Sequence, residues 1–259
     1  MSRSDSRQIE DVVMASAVLA EVFARNERVV VLTGAGISTE SGIPDYRSPS
    51  GIWATSTPIQ YQAFVSDKTS RLEDWRRRLR FHAEFTSAVP NAAHLALARL
   101  ARSGQLATVV TQNIDGLHLR SGIPADQLIE LHGNGTYAHC LDCRTPAGIP
   151  DQRQTIEAGR SPRCPACGGL LKAAVVSFGE QMPRDRLEAA IAAARRCDAF
   201  LVLGSSLAVH PAASLPELAD DAGAELIIVN REPTPLDHLA HRLIRVPLAE
   251  AFGPLAPAG

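Results

Sequence analysis

Two hydrophobic rhythms alternate along the chain. Between Ile9 and Arg25 the apolar positions Val13, Ala17, Leu19, Ala20 and Phe23 recur at helical spacing and predict an amphipathic helix. The next segment, Arg28 to Thr33, reads RVVVLT and runs into Gly34-Ala35-Gly36. A short β-branched run without polar alternation predicts a strand buried on both faces, here leading into a glycine turn. Segments 107–111, 127–131, 200–203 and 225–229 share that character and predict four further strands. Helices are expected between them: Asn91 to Arg102 after Pro90, Arg184 to Arg196 after Pro183, and Pro211 to Ala222 ahead of Gly223. This alternation predicts an α/β fold with a doubly wound parallel sheet, which binds ligands at the carboxyl ends of its strands.

Two stretches break the rhythm. Pro44 to Val89 is too long for an ordinary connection and carries Trp53, Trp75 and Arg76-Arg77-Arg78, while His139 to Leu170 holds four cysteines. Both read as insertions that build a smaller lobe beside the sheet. The tail after Phe252, rich in Pro, Gly and Ala, is expected to fray. With 259 residues, 45% hydrophobic, the chain can bury a substantial core. A formal charge of −2 argues against a nucleic-acid partner. No membrane role is expected, because the most apolar stretches, such as Ala199 to Val209, are too short to span a bilayer. Met1 to Asp11 is polar and lacks the apolar core of a secretion signal, so a cytoplasmic, reducing setting is expected for the five cysteines.

In that setting, Cys140-x-x-Cys143 and Cys164-x-x-Cys167, roughly twenty residues apart, have the spacing of a four-thiolate zinc ribbon. Four thiolates fill a tetrahedral site and leave no position for water, so the ion would be structural. Its binding would supply folding free energy to a lobe poor in apolar residues. Redox pairing of the two motifs is the alternative. Cys197 stands alone and reads as a core thiol. His82, His94, His139, His210, His238 and His241 have no ligand spacing, and His118 is expected to pack locally.

Taken alone, Gly34-Ala35-Gly36 is either a tight βα turn or a loop whose backbone approaches a phosphate. The third glycine of the dinucleotide fingerprint would fall at Thr39 and is absent, which weakens a dehydrogenase reading. The longer segment GAGISTESGIPDYRSPSGIW, Gly34 to Trp53, resembles the cofactor loop of the sirtuin family, NAD-dependent protein deacylases with the pattern GAGxSxxSGIPDFR. The likeness continues from Arg28 to Val246. Thr111 to His118 matches the family's TQNIDxLH, and Glu130-Leu131-His132-Gly133-Asn134 its catalytic LHG segment. Phe178-Gly179-Glu180, Gly204-Ser205-Ser206-Leu207 and Val229-Asn230 follow in family order. The resemblance implies a Rossmann-like NAD-binding domain formed by residues 1–43, 91–133 and 171–259. A helical insertion (44–90) and a zinc-binding insertion (134–170) would form the small domain. It also implies NAD as a consumed co-substrate, one structural zinc per chain, and acyl-lysine proteins or peptides as partners.

In the sirtuin scheme nicotinamide leaves C1′ of the NAD ribose as the acyl-lysine carbonyl oxygen adds, giving an O-alkylimidate. A ribose hydroxyl then loses its proton and attacks the imidate carbon; water releases lysine and O-acyl-ADP-ribose. His132, just past a strand end, would be the base, since a neutral imidazole suits proton removal near neutral pH. A lone histidine after a strand would otherwise be a surface or hydrogen-bond-satisfied residue. Asn113 would orient the ribose and attacking groups, and Asp115 would bind the nicotinamide amide, with Gln112 and Ile114 in the same cofactor segment. A capped turn is the plainer reading of Asp115. Gly34, Ala35, Gly36, Ser38, Asp45, Tyr46 and Arg47 would hold ribose and phosphates. Tyr46 replaces the family's commoner Phe and keeps its aromatic face. Gly204, Ser205 and Ser206 would contact phosphate or ribose, with Ser205 in place of the frequent Thr. Asn230, Arg231 and Glu232 would line the adenosine ribose. Each of these could stand in an ordinary βα turn.

Val176, Phe178, Gly179 and Glu180 resemble the segment that pairs with substrate backbone as an added strand, the alternative being a strand packed on the sheet. The family's Pro-Asp before it is Ala173-Ala174 here. Trp75 and Arg78 stand where some sirtuins place a Tyr-x-x-Arg pair for acidic acyl chains. With the tyrosine lost, acetyl or other uncharged acyl groups are favoured, and the plainer reading of the arginines is a solvated helix face. Protein-lysine deacylation leads. The alternatives are mono-ADP-ribosyl transfer to protein, a non-catalytic NAD-sensing zinc-ribbon adaptor and a hydride-transfer dehydrogenase.

Overall fold

In the computed structural model, which describes residues 8–257, a short strand β1 (Gln8–Ile9) and helix α1 (Val12–Arg25) lead into β2 (Val29–Thr33). The expected first helix therefore starts three residues later than its apolar pattern. Asp11 caps it, accepting from the Met14 N–H at 2.7 Å, and Ile9 is drawn into the sheet instead. Next come α2 (Tyr61–Ser66), α3 (Lys68–Ser87) and α4 (Ala92–Arg102), then β3 (Thr108–Thr111), α5 (Leu117–Arg120) and β4 (Leu128–Glu130). The small lobe contributes β5 (Gly133–Cys140), β6 (Pro146–Gly148), α6 (Arg153–Glu157) and β7 (Leu171–Val175). Helix α7 (Arg184–Arg196), β8 (Ala199–Leu203), α8 (Leu215–Asp221), β9 (Glu225–Val229), β10 (Arg242–Ile244) and α9 (Leu248–Phe252) complete the order.

Seven parallel strands of the described residues pair as β1-β10-β9-β8-β2-β3-β4. Successive residues of β2 explain why it is apolar throughout. Val29 and Val31 join a core with α1, α4 and α9, whereas Val30 and Leu32 face a second core with α7 and α8. Strands β1 and β10 escape the sequence reading because two or three residues carry too little pattern to register. The tail also departs from expectation. Leu255 is buried and Ala256 packs on the same core, so apolar contact holds it through 257; residues 258–259 lie outside the described residues. No helix among the described residues is long and apolar enough to cross a membrane.

The strand order reverses between β2 and β8. From β2 the chain winds to β3 and β4, then returns to β8 and winds the other way. Loops after two such strands diverge and leave a crevice at their carboxyl ends. Here they also cross at backbone contact: the Gly34 N–H donates to the Leu203 carbonyl at 3.0 Å, and Gly36 N–H to the Gly204 carbonyl at 2.8 Å. A Cβ on Gly36 would lie 2.7 Å from Gly204 Cα, and one on Gly204 only 2.5 Å from the Ile37 nitrogen. Gly204 also sits at φ 63°, a left-handed conformation that disfavours a side chain.

Beside the sheet, β6-β5-β7 form an antiparallel three-stranded sheet packed with α2, α3 and α6 around Phe64, Trp75, Ile149, Ile156 and Leu171. Cys140 ends β5, and Cys164 and Cys167 lie on the turn before β7. The Cys140–Cys167, Cys143–Cys164 and Cys143–Cys167 sulfurs are 3.5, 3.6 and 3.4 Å apart, and all four lie within 4.8 Å of one another. A tetrahedron of Zn–S bonds has sulfur–sulfur edges of about 3.8 Å, so one zinc suits this cluster. Convergence on one point separates a metal site from two redox pairs. Among the described residues no other His, Cys, Asp or Glu group has comparable geometry.

Two outcomes follow from the fold. Gly204→Ala is expected to lower the unfolding free energy by roughly 2–5 kcal/mol in urea denaturation, from overpacking and left-handed strain together. Zinc chelation, or Cys164→Ser, is expected to lower Tm; an unchanged melting curve of metal-free protein would refute a structural zinc.

Candidate active site

Strands β2, β3, β4 and β8 end together on the crevice side, so their following residues meet there. After β2 the chain enters a short 3-10 turn, Ala35–Ser41, that buries Ser38. After β3, Asn113 Nδ2 donates to the Gly34 carbonyl at 3.0 Å and to Ser38 Oγ at 3.2 Å. Ser38 Oγ in turn donates to Asp115 Oδ2 at 2.7 Å. An amide, a hydroxyl and a carboxylate thus form one directional chain that joins the two loops.

Asp115 is buried and also accepts the Leu117 N–H at 2.8 Å at the start of α5. It therefore fixes the chain's entry into α5, whose N-cap position is Gly116, and is also a member of the site. Burial raises its carboxyl pKa, and the Leu117 and Ser38 donors oppose that rise. Beneath this chain, the Thr33 hydroxyl lies 2.7 Å from Thr111 Oγ1 and 2.9 Å from His118 Nε2, and Thr111 Oγ1 accepts the Asn113 N–H at 3.0 Å. The sequence reading left these threonines out; their place at the ends of two β-branched runs was the available sign.

Gln112 faces β8, its Nε2 donating to Ser205 Oγ at 2.8 Å, and that hydroxyl also accepts the Leu207 N–H at 3.2 Å. Ser205 is buried, Ser206 exposed. The Gln112 carbonyl lies 3.0 Å from His132 Nδ1. A carbonyl can only accept, so Nδ1 carries the proton and the neutral ring presents a bare, basic Nε2. Burial lowers the His132 pKa below 6.5, with the Gln112 hydrogen bond acting in the opposite direction. Ile114 divides its packing between the small-lobe core and the cluster around Phe85, while its carbonyl accepts the Gly135 N–H at 2.7 Å.

The loop between Pro44 and Thr55 folds back on itself. Asp45 Oδ1 accepts the Arg47 and Ser48 N–H groups at 3.0 and 2.8 Å, and Trp53 N–H donates to the Tyr46 carbonyl at 3.0 Å. The Tyr46 and Trp53 rings are 5.4 Å apart, Trp53 and Phe178 are 5.5 Å apart, and the Arg47 guanidinium lies 4.2 Å over the Trp53 ring. Burial raises the Tyr46 pKa and keeps its hydroxyl neutral. An aromatic row thereby runs from the 44–55 loop to Phe178 in the segment after β7.

That segment is a turn, not a strand packed on the sheet. Val176 N–H donates to the His132 carbonyl at 2.8 Å, and the chain then turns through Ser177–Glu180, with Phe178 and Gly179 exposed. At β9, Asn230 Nδ2 donates to the Glu232 carbonyl at 2.6 Å. Arg245, missed in the sequence, braces this corner: it donates to the Asn230 carbonyl at 2.7 Å and pairs with Asp237. The Arg231 and Glu232 side chains are exposed.

Trp75 and Arg78 are not presented to the crevice as free groups. Trp75 has 0% exposure, and its indole N–H donates to the Leu171 carbonyl at 3.2 Å. It is a core residue of the small lobe, which corrects the expectation that it contacts substrate. Arg78 is paired with Asp74 at 3.3 Å, one helical turn back on α3.

Residues 34–211 match the family model described as Sir2 family. The chain is 44% identical over 236 residues to the NAD-dependent protein deacetylase 1 of Bradyrhizobium diazoefficiens, covering 91% of this chain and 93% of that protein. It is 45% identical over 237 residues to the NAD-dependent protein deacetylase of Rhodopseudomonas palustris, covering 91% and 94%. A solved Sir2 complex with p53 peptide and NAD+ superposes with a TM-score of 0.80 at 36% identity, over 92% of this chain and 95% of that one. With the matched segment spanning the crevice from Gly34 to Pro211, the chain belongs to the Sir2 family.

Proposed function

We propose that this protein is an NAD-dependent protein-lysine deacylase in which His132 is the base and the crevice at the β2–β8 switch point binds NAD. The observation that carries the reading is the tautomer of His132. Its Nδ1–H is committed to the Gln112 carbonyl, so Nε2 is free to take a proton from a ribose hydroxyl. Asn113, Ser38 and Asp115 form the adjoining polar chain, suited to a ribose and a carboxamide because it offers both donors and acceptors. Gly34, Ala35, Gly36, Gly204, Ser205 and Ser206 would take the phosphates and nearby ribose, where bare backbone allows close approach. Asp45, Tyr46 and Arg47 would cover them, with Gln112 and Ile114 flanking. Asn230, Arg231 and Glu232 would hold the adenosine ribose.

Bound there, NAD would supply an electrophilic C1′ with nicotinamide as leaving group, and Cys140, Cys143, Cys164 and Cys167 would hold zinc in the small lobe. The NAD-binding domain would comprise residues 1–43, 91–133 and 171–259, with 44–90 and 134–170 in the small domain, although strand β7 (Leu171–Val175) pairs in the small sheet. The thiolate cluster supports a reducing, cytoplasmic setting. Val176, Phe178, Gly179 and Glu180 would border the peptide, and a net charge of −2 supports protein over nucleic-acid substrates. Uncharged acyl groups are preferred. Arg78 is held by Asp74, so an acidic acyl chain meets no free cation there.

In the pH profile of kcat/KM, the base is active when neutral. A His132 pKa below 6.5 therefore places the acid limb below pH 6.5, with activity lost as pH falls through it. His132→Ala is expected to lower kcat at least about 100-fold, the lower range for general-base catalysis, while the variant stays folded. Mass spectrometry of a reaction with NAD and acetyl-, propionyl- and succinyl-lysine peptides is expected to show O-acyl-ADP-ribose with the first two. ADP-ribose left on the peptide would favour the transferase instead.

A further inference from the structure

The segment from Val176 to Glu180 is held in place by a charge that the nucleotide site does not use. Lys172, within the apolar run LLKAAVV, is 1% exposed. Its ammonium donates to the Val175 carbonyl and, at 2.8 Å, to Glu180 Oε2. The same carboxylate oxygen accepts the Ser177 N–H at 2.8 Å. One buried cation thus ties together the two ends of the turn that carries Phe178. The turn has further fastenings on its flanks. Tyr61 N–H, at the start of α2, donates to the Phe178 carbonyl at 2.8 Å, and the Tyr61 ring lies 5.8 Å from the ammonium. Val176 N–H is bonded to the His132 carbonyl, so the turn is registered against the base itself.

Burying an ammonium is costly unless it is paired and hydrogen-bonded, and a well-packed apolar residue of similar volume usually serves stability as well. The fold alone therefore gives little reason for a lysine here. The geometry of the turn gives one, because the cation reaches both its ends. Strand β7 extends this support to the metal lobe: Leu171 pairs with Cys140 at one end and Val175 with Gly133 at the other.

We propose that Lys172 is a positioning residue for the acyl-peptide groove, its ammonium fixing the Val176–Glu180 turn through Val175 and Glu180. The proposal rests on the reading of that turn as the peptide site. It acts on peptide binding and not on the nucleotide side of the crevice, since none of its partners lies in the Gly34, Asn113 or Ser205 loops.

Steady-state kinetics on full-length, zinc-loaded Lys172→Met tests this. KM for an acetyl-lysine peptide is expected to rise at least tenfold, with KM for NAD within twofold of the original and zinc content unchanged. Lys172→Arg, which keeps the cation, should recover part of the loss. If Lys172→Met does not fold, Glu180→Gln reads the same contact from its other side, with the same split expected. An unchanged peptide KM in the folded variant, or an equal rise in both KM values, overturns the proposal. Phe178→Ala serves as the reference within the turn. If it too leaves peptide KM unchanged, the reading of the turn as the peptide site fails. If it raises peptide KM while Lys172→Met does not, only the role of Lys172 fails.

Discussion

The backbone crossing of the loops after β2 and β8 sets the geometry on which the rest of the crevice depends. Gly36 and Gly204 approach within hydrogen-bond distance of main chain to main chain, leaving no room for a Cβ on either. This closeness brings Gly34 against Asn113 and Ser205 against Gln112, and hence joins three strand ends through side-chain hydrogen bonds. His132 is then oriented by the carbonyl of the same Gln112 whose side chain reaches β8. A displacement at the glycine crossing would propagate to the base through two hydrogen bonds.

The small lobe solves a different problem. Its core, around Trp75 and Ile156, is smaller than either of the two cores that flank the large sheet. Four sulfurs drawn to one point fix the turns at the ends of β5 and before β7, and these two strands run on to the groove. The large sheet is held by two extensive apolar cores, whereas the small lobe adds to its own core the geometry of the four sulfurs and the buried Lys172–Glu180 pair. The two halves of the crevice therefore owe their order to unlike forces, with different responses to salt, chelators and temperature.

Much of this was legible in the chain. The central strands β2, β8 and β9 were readable because both faces are buried, which removes polar alternation, and the cysteine spacing pointed to one metal site. Residues 34–53 and 111–118 carried the site because long runs of specific residues meet the crevice in single loops. What escaped was assembled across distance. Lys172 stands in an apolar run and meets its carboxylate only where the chain brings Glu180 round to it. Arg245 and the Thr33–Thr111 pair likewise acquire partners only when separate strands align. Trp75 misled in the opposite sense: the resemblance to a Tyr-x-x-Arg pair placed it with Arg78 at the substrate, but on α3 it points into the core while Arg78 folds back on Asp74.

The aromatic row beside the crevice has an optical consequence. The chain contains two tryptophans. Trp75 is sealed in the small lobe, while Trp53 lies in the 44–55 loop beneath the Arg47 guanidinium and between Tyr46 and Phe178. A ligand that draws Arg47 toward a phosphate changes the surroundings of one indole and not the other. Intrinsic emission thus divides between one indole fixed in a core and one whose surroundings change with the 44–55 loop.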